Sequence, residues 1–85
     1  MNRRKLLEKL LQGHVQNVSF KDFRNLVLGF GFTWDRTGGS HHLFTRDDIP
    51  DIVNLQERRG EAKPYQVREF VRLIERYNLR LEDEA

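Results

Sequence analysis

The residues best suited to do chemistry lie in one short segment, Arg36–Phe44, which reads RTGGSHHLF. Gly38 and Gly39 have no Cβ atoms, so their backbone N–H groups can come close to a phosphate. His41 lies just beyond them, and an imidazole can accept and release a proton near neutral pH. The segment therefore predicts a place where a phosphate ester meets a general base.

The same segment also has a simpler interpretation. Gly-Gly is a favoured hairpin turn, in which Ser40 would satisfy local backbone groups and the histidines would be ordinary strand residues. Successive strand residues point to opposite faces, so His41 and His42 cannot act together on one small site. His41 shares a face with Leu43, and His42 shares one with Phe44, but the sequence does not show which face meets the helices.

Two other kinds of site are disfavoured by spacing. The three histidines have no spacing that puts two of them on one face, which argues against zinc. Ser40 and His41 point apart in a strand, which argues against a serine triad. We therefore expect no metal site and no small-molecule cofactor.

The elements that must position this segment follow from hydrophobic periodicity. Leucines at helical spacing predict a first helix over residues 3–12, with Gly13 as its stop. Ser19 predicts the N-cap of a second helix. Three strands and a final helix are expected at Phe32–Asp35, His41–Thr45, Asp51–Gln56 and from Pro64 onward, with a charged loop over Glu57–Lys63.

The order α-α-β-β-β-α predicts an α+β fold, a two-layer sandwich whose three-stranded antiparallel sheet carries the helices on one face. Its 85 residues form one domain, 1–85. The chain has no cysteine, which excludes disulfides, thiolate catalysis and cysteine-ligated zinc. It has no apolar run of about 20 residues and no signal peptide, so we expect a cytoplasmic protein without membrane contact.

Charge is divided unevenly along the chain. Residues 1–46 hold 8 Lys and Arg against 3 Asp and Glu, a net +5, whereas residues 47–85 hold 7 against 10, a net −3. Part of that acidity lies in the tail 82–85. A basic half permits a polyanionic partner such as nucleic acid, without requiring one.

From Phe23 to Leu79 the arrangement resembles the HicA toxin family. The shared pattern is Gly-Phe before a short strand, then Gly-Ser-His-His-x-Phe, an apolar third strand and an amphipathic last helix; Gly39-Ser40-His41 is its most specific part. The chain departs from the family in its extra helix at 3–12. It also has Leu55-Gln56-Glu57 where the family usually has Val-Pro-x-His.

The resemblance implies a double-stranded-RNA-binding-domain-like fold and the activity of an mRNA interferase in a type II toxin–antitoxin system. It implies that His41 is the catalytic base and that a HicB-type antitoxin is the partner. The RNA would supply its own 2′-OH nucleophile, so the reaction would need no metal and no protein nucleophile. A general base contributes roughly 10²–10⁴-fold, which implies a slow enzyme. The expected RNA-binding residues are Arg36, Gly38, Gly39, Ser40 and Lys63.

Two alternatives remain open. The first is a non-catalytic domain of the same fold that binds double-stranded RNA, and the second is a protein-interaction domain. Trp34 and Phe44 could stack on bases, but in a small core we expect them to pack. Arg68, Arg72 and Arg76 could follow phosphates, but Glu69 and Glu75 lie at helical spacings from them, so we expect a salt-bridged outer face. Arg58, Arg59 and Lys63 lie in the charged loop, where a solvated role competes with RNA binding.

Overall fold

The computed structural model describes residues 1–82, which form three α helices and one four-stranded antiparallel sheet. The elements are α1 (Arg3–Leu11), α2 (Phe20–Gly29), β1 (Thr33–Gly38), β2 (His41–Arg46), β3 (Ile49–Arg58), β4 (Glu61–Ala62) and α3 (Pro64–Tyr77). The predicted α+β class is confirmed. The predicted acidic tail 82–85 lies outside the described residues except for Glu82.

The helices begin where the sequence predicts. The Ser19 hydroxyl accepts the backbone N–H of Asp22 at 3.3 Å, which caps α2. Pro64 is the first residue of α3, where the absence of its N–H costs nothing. In α1, the Asn2 side chain accepts the backbone N–H of Lys5 at 2.8 Å. None of the helices within residues 1–82 is long and apolar enough to cross a bilayer.

The predicted three-stranded sheet is wrong, because a fourth strand follows β3. The strand order is β1-β2-β3-β4, and the expected charged loop over residues 57–63 contains the end of β3, a tight turn and β4. Arg59 and Gly60 both have positive φ, of 54° and 79°, as a type I′ hairpin turn requires. A non-glycine residue rarely adopts this conformation, so the sequence Arg-Arg-Gly reads as a loop.

The core lies between the helices and one face of the sheet. Phe70 of α3 is at its centre, with its ring in edge-on contact with Phe23, Phe30 and Phe32 at centroid distances of 5.6 to 5.8 Å. The apolar face of α2 is buried, and it consists of Phe20, Phe23, Leu26 and Val27. On α3 the buried residues include Val67, Phe70 and Ile74. Phe44 is also buried, as expected.

Trp34 does not pack into the core, and this expectation is wrong. All six residues of β1 are exposed, and Trp34 exposes 58% of its surface. β1 is the edge strand farthest from β4, and a β-bulge at Asp35 shifts its register against β2. The indole N–H of Trp34 instead donates a 2.9 Å hydrogen bond to the hydroxyl of Thr37.

Candidate functional site

The strand register places the two adjacent histidines on opposite faces of the sheet, as predicted. His42 is paired with Leu55, which is buried, and its ring lies 5.1 Å from that of Phe20 in α2. His42 therefore belongs to the face that the helices cover. His41 is paired with Gln56 and is exposed, so it lies on the open face.

The glycine-rich turn has open space beside its two glycines. Gly39 and Ser40 form the two-residue connection between β1 and β2, and Gly39 has φ of 60°, as the first central residue of a type II′ turn does. At both Gly38 and Gly39, a Cβ atom would have no neighbouring atom within 4 Å. The space beside both glycines is therefore open to a ligand, and Gly38 lies directly opposite His41.

Both ring nitrogens of His41 have partners on β3. Nδ1 lies 3.1 Å from Oδ1 of Asn54, and Nε2 lies 3.3 Å from Nε2 of Gln56. The same Gln56 nitrogen donates to the Ser40 hydroxyl at 3.5 Å. The structure thus brings Ser40 and His41 to one amide group. The expectation that their side chains point apart in a strand is wrong, because Ser40 lies in the turn and not in β2.

Two residues near the start of α3 bind the side-chain oxygen of Gln56. The hydroxyl of Tyr65 and Nε2 of Gln66 donate to Oε1 of Gln56 at 3.2 and 3.0 Å. Oε1 of Gln66 accepts the backbone N–H of Gln56 at 2.8 Å. Gln66 is the one buried polar side chain among residues 1–82, with 7% of its surface exposed.

Sequence reasoning missed Asn54, Gln56, Tyr65 and Gln66 as site residues. The alternation of β3 was visible and put Asn54 and Gln56 on one face. Their pairing with β2 depends on a register that periodicity does not fix. Gln66 reads as an ordinary helix residue, and only its tertiary position reveals its role.

The two predicted cationic residues occupy different places around the site. Arg36 is paired with Leu43 and so lies on the open face with His41; its guanidinium is highly exposed and donates to Asp35 at 3.1 Å. Lys63 is the N-cap residue of α3, two positions before Tyr65, and its side chain makes no capping hydrogen bond. No hydrogen bond or ion pair joins Lys63 to His41 in the part of the chain that the structure describes.

A groove of about 390 Å³ runs beside the site, between β3 and α3, and Asn54 and Tyr65 are among its lining residues. Arg76, also in this groove, pairs with Asp51 of β3 at 3.2 Å. Within residues 1–82, none of the three α3 arginines forms an ion pair with a glutamate of the helix, so that expectation is wrong, and Arg76 pairs with a carboxylate of β3 instead. Asp51 also accepts the Tyr77 hydroxyl at 2.6 Å, which raises the pKa of Tyr77 above its usual 10.0.

Comparison of the chain with protein-family models, with curated proteins and with solved structures gave no significant match.

Proposed function

We propose that this chain is an endoribonuclease of the HicA toxin type, with His41 as the general base. One observation carries the proposal: an exposed imidazole stands on the open face of the sheet, opposite Gly38 and beside a turn with open space around its glycines. This is the arrangement that cleavage by an internal 2′-OH needs. A base takes the hydroxyl proton while backbone N–H donors meet the charge that develops on the phosphate.

The reaction needs no protein nucleophile. His41 removes the proton from a ribose 2′-OH, the 2′ oxygen bonds to the adjacent phosphorus, and the bond from phosphorus to the 5′ oxygen breaks. The leaving oxygen takes up a proton, so the products are a 2′,3′-cyclic phosphate and a 5′-hydroxyl. DNA, which lacks the 2′-OH, is not cut.

The neighbouring residues have supporting roles in this proposal. The N–H groups of Gly38 and Gly39 bind the phosphate, Ser40 lies at the end of the turn, and Arg36 on the same face adds positive charge. Lys63 lies farther along the RNA path, at the start of α3. In this proposal the fold acts as a double-stranded-RNA-binding-domain-like scaffold that cuts mRNA in the cytoplasm.

The open face is also where we place the partner protein. A HicB-type antitoxin that covers His41 would block the general base and meet the basic half of the chain with an acidic surface. A small reading frame directly beside this one would support the assignment, and co-purification of its product with this chain would test it.

The adjacent histidines supply a matched pair for the main experiment. We expect His41→Ala to lower RNA cleavage by about 10²–10⁴-fold, the usual contribution of a general base. His42→Phe keeps a ring against Phe20 on the covered face and should cleave at close to the wild-type rate. The assay is inducible expression in a bacterium with mapping of transcript ends, followed by cleavage of RNA by the purified proteins.

Two results would contradict the proposal. If His41→Ala cuts RNA as fast as the wild type, the imidazole is not the base. If neither protein cuts RNA but both bind it with a steep salt dependence, the chain is the non-catalytic RNA-binding domain.

A further inference from the structure

We infer that Gln66, acting through Gln56, sets the tautomer of His41, with the proton on Nδ1 and the lone pair on Nε2. The tautomer follows from the hydrogen-bond geometry alone. Its catalytic significance rests on the proposed function, in which the lone pair on Nε2 takes the proton of the 2′-OH.

The backbone N–H of Gln56 fixes the orientation of the Gln66 amide. The backbone N–H of Gln56 is a donor only, so the Gln66 atom 2.8 Å from it must be the amide oxygen. This fixes the other end of the Gln66 amide as the N–H₂ group. That group donates to Oε1 of Gln56 at 3.0 Å and to the Tyr65 hydroxyl at 3.3 Å.

The second amide is therefore oriented as well. Oε1 of Gln56 accepts from Gln66 and from Tyr65, so the Gln56 N–H₂ group must face the imidazole. It lies 3.3 Å from Nε2 of His41, and two N–H donors cannot hydrogen-bond to each other. Nε2 must therefore carry the lone pair, and the ring proton is on Nδ1, which donates to Oδ1 of Asn54 at 3.1 Å.

This arrangement prepares the imidazole for proton uptake. The contacts of Gln56 Nε2 with His41 and Ser40, at 3.3 and 3.5 Å, lie at or beyond the long end of the usual range. A 2′-OH can displace the first contact and donate to Nε2, while Asn54 keeps the ring in place. Asn54, Gln56 and Gln66 are thus positioning residues, since they act through His41.

Imidazole nitrogen NMR on the full chain tests the assignment without any RNA. In the wild type at a pH where the ring is neutral, we expect long-range proton–nitrogen correlations to show Nδ1–H for His41. Gln56→Glu places an acceptor opposite Nε2, so we expect an N–H signal on Nε2. Gln66→Met removes the orienting amide and should give a mixture of tautomers.

Thr37→Val is the matched control, because the Thr37 hydroxyl lies 3.3 Å from Nδ1 of His42 on the other face. It should alter the signals of His42 and leave those of His41 unchanged. The inference is overturned if wild-type His41 carries its proton on Nε2, or if Gln56→Glu leaves the Nδ1–H form intact. Gln56→Glu keeps this test decisive if Gln66→Met fails to fold.

Cleavage kinetics separate this inference from the proposed function. In Gln66→Met we expect kcat to fall by about tenfold or more with KM changed by less than about twofold; a wrong histidine tautomer costs a serine protease about 10⁴-fold in kcat. A wild type that cuts no RNA yet shows Nδ1–H contradicts the proposed function and supports the tautomer assignment. A wild type that cuts RNA while its His41 carries Nε2–H overturns the assignment and leaves the function standing.

Discussion

Replacing Gln66 by leucine should destabilise the protein measurably, because Gln66 makes three hydrogen bonds from a buried position. Each such bond contributes about 0.5–1.5 kcal/mol net, so their loss costs about 1.5–4.5 kcal/mol. Two of the three partner groups, on Gln56 and Tyr65, can turn toward water, which favours the lower half of this range. Leucine also recovers about 1 kcal/mol through its apolar surface.

The net expectation for Gln66→Leu is a loss of about 1 kcal/mol in the free energy of unfolding. In a domain of this size, 1 kcal/mol corresponds to about 4–8 °C, so Tm should fall by about that amount. Urea denaturation followed by circular dichroism measures the free energy, and calorimetry measures Tm. If the slope of the free energy of unfolding against urea concentration is unchanged, the lost stability does not come from a change in the unfolded state.

Tyr65→Phe is the control for this measurement. It removes one hydroxyl of a side chain that is 53% exposed and should cost less than about 0.5 kcal/mol. If Gln66→Leu also stays within about 0.5 kcal/mol of the wild type, the amide does not hold α3 against β3.

Three further predictions concern the turn, the groove and the core. Gly39→Ala should lower the free energy of unfolding by about 1–2 kcal/mol, because Gly39 has a positive φ. Gly38→Ala should change it by less than about 0.5 kcal/mol. Urea denaturation measures both values, and equal losses would contradict the turn assignment. The raised pKa of Tyr77, caused first by its hydrogen bond to Asp51, stabilises the fold below pH 10.0 and ceases to do so as pH rises through the folded pKa. Asp51→Asn should therefore lower the pH at the midpoint of the tyrosinate absorbance titration of Tyr77. Comparison with Tyr77→Phe assigns the signal, and an unchanged midpoint would refute the prediction. Phe70→Ala should cost about 3–5 kcal/mol in urea denaturation, and a loss under about 1 kcal/mol would show that its ring contacts are not central.

The sequence was sufficient for most of the fold because its signals are local. Ser19 and Pro64 mark helix starts through groups within one turn of themselves, and both predictions are confirmed. β4 was missed because its turn depends on Arg59 adopting a positive φ, which no sequence rule favours. Two further hydrogen bonds hold β4, from Phe20 N–H to Gly60 and from Ala62 N–H to Val18, and both are tertiary.

The only part of the candidate site that the sequence predicted is the part that follows from the alternation of side chains along a strand. Alternation separated His41 from His42, and this is confirmed. The sequence did not show which histidine faces the helices, because each has an apolar neighbour two positions along, Leu43 or Phe44. The groups that hold the imidazole lie 13 and 15 residues away in the chain, at Asn54 and Gln56, and only the register of β2 against β3 brings them together.

The buried amide of Gln66 connects stability with the chemistry proposed for the site. Its oxygen satisfies a backbone donor of β3, and its nitrogen fixes the amide that faces His41. A non-polar side chain would leave the Gln56 amide without its buried donor, and the imidazole would lose its single tautomer. Because strand residues alternate, His41 lies on the open face, while His42 packs with the core on the other. Substitutions beside His42 therefore leave the hydrogen-bond partners of His41 in place, whereas a substitution at Gln66 changes both stability and the groups that hold the imidazole.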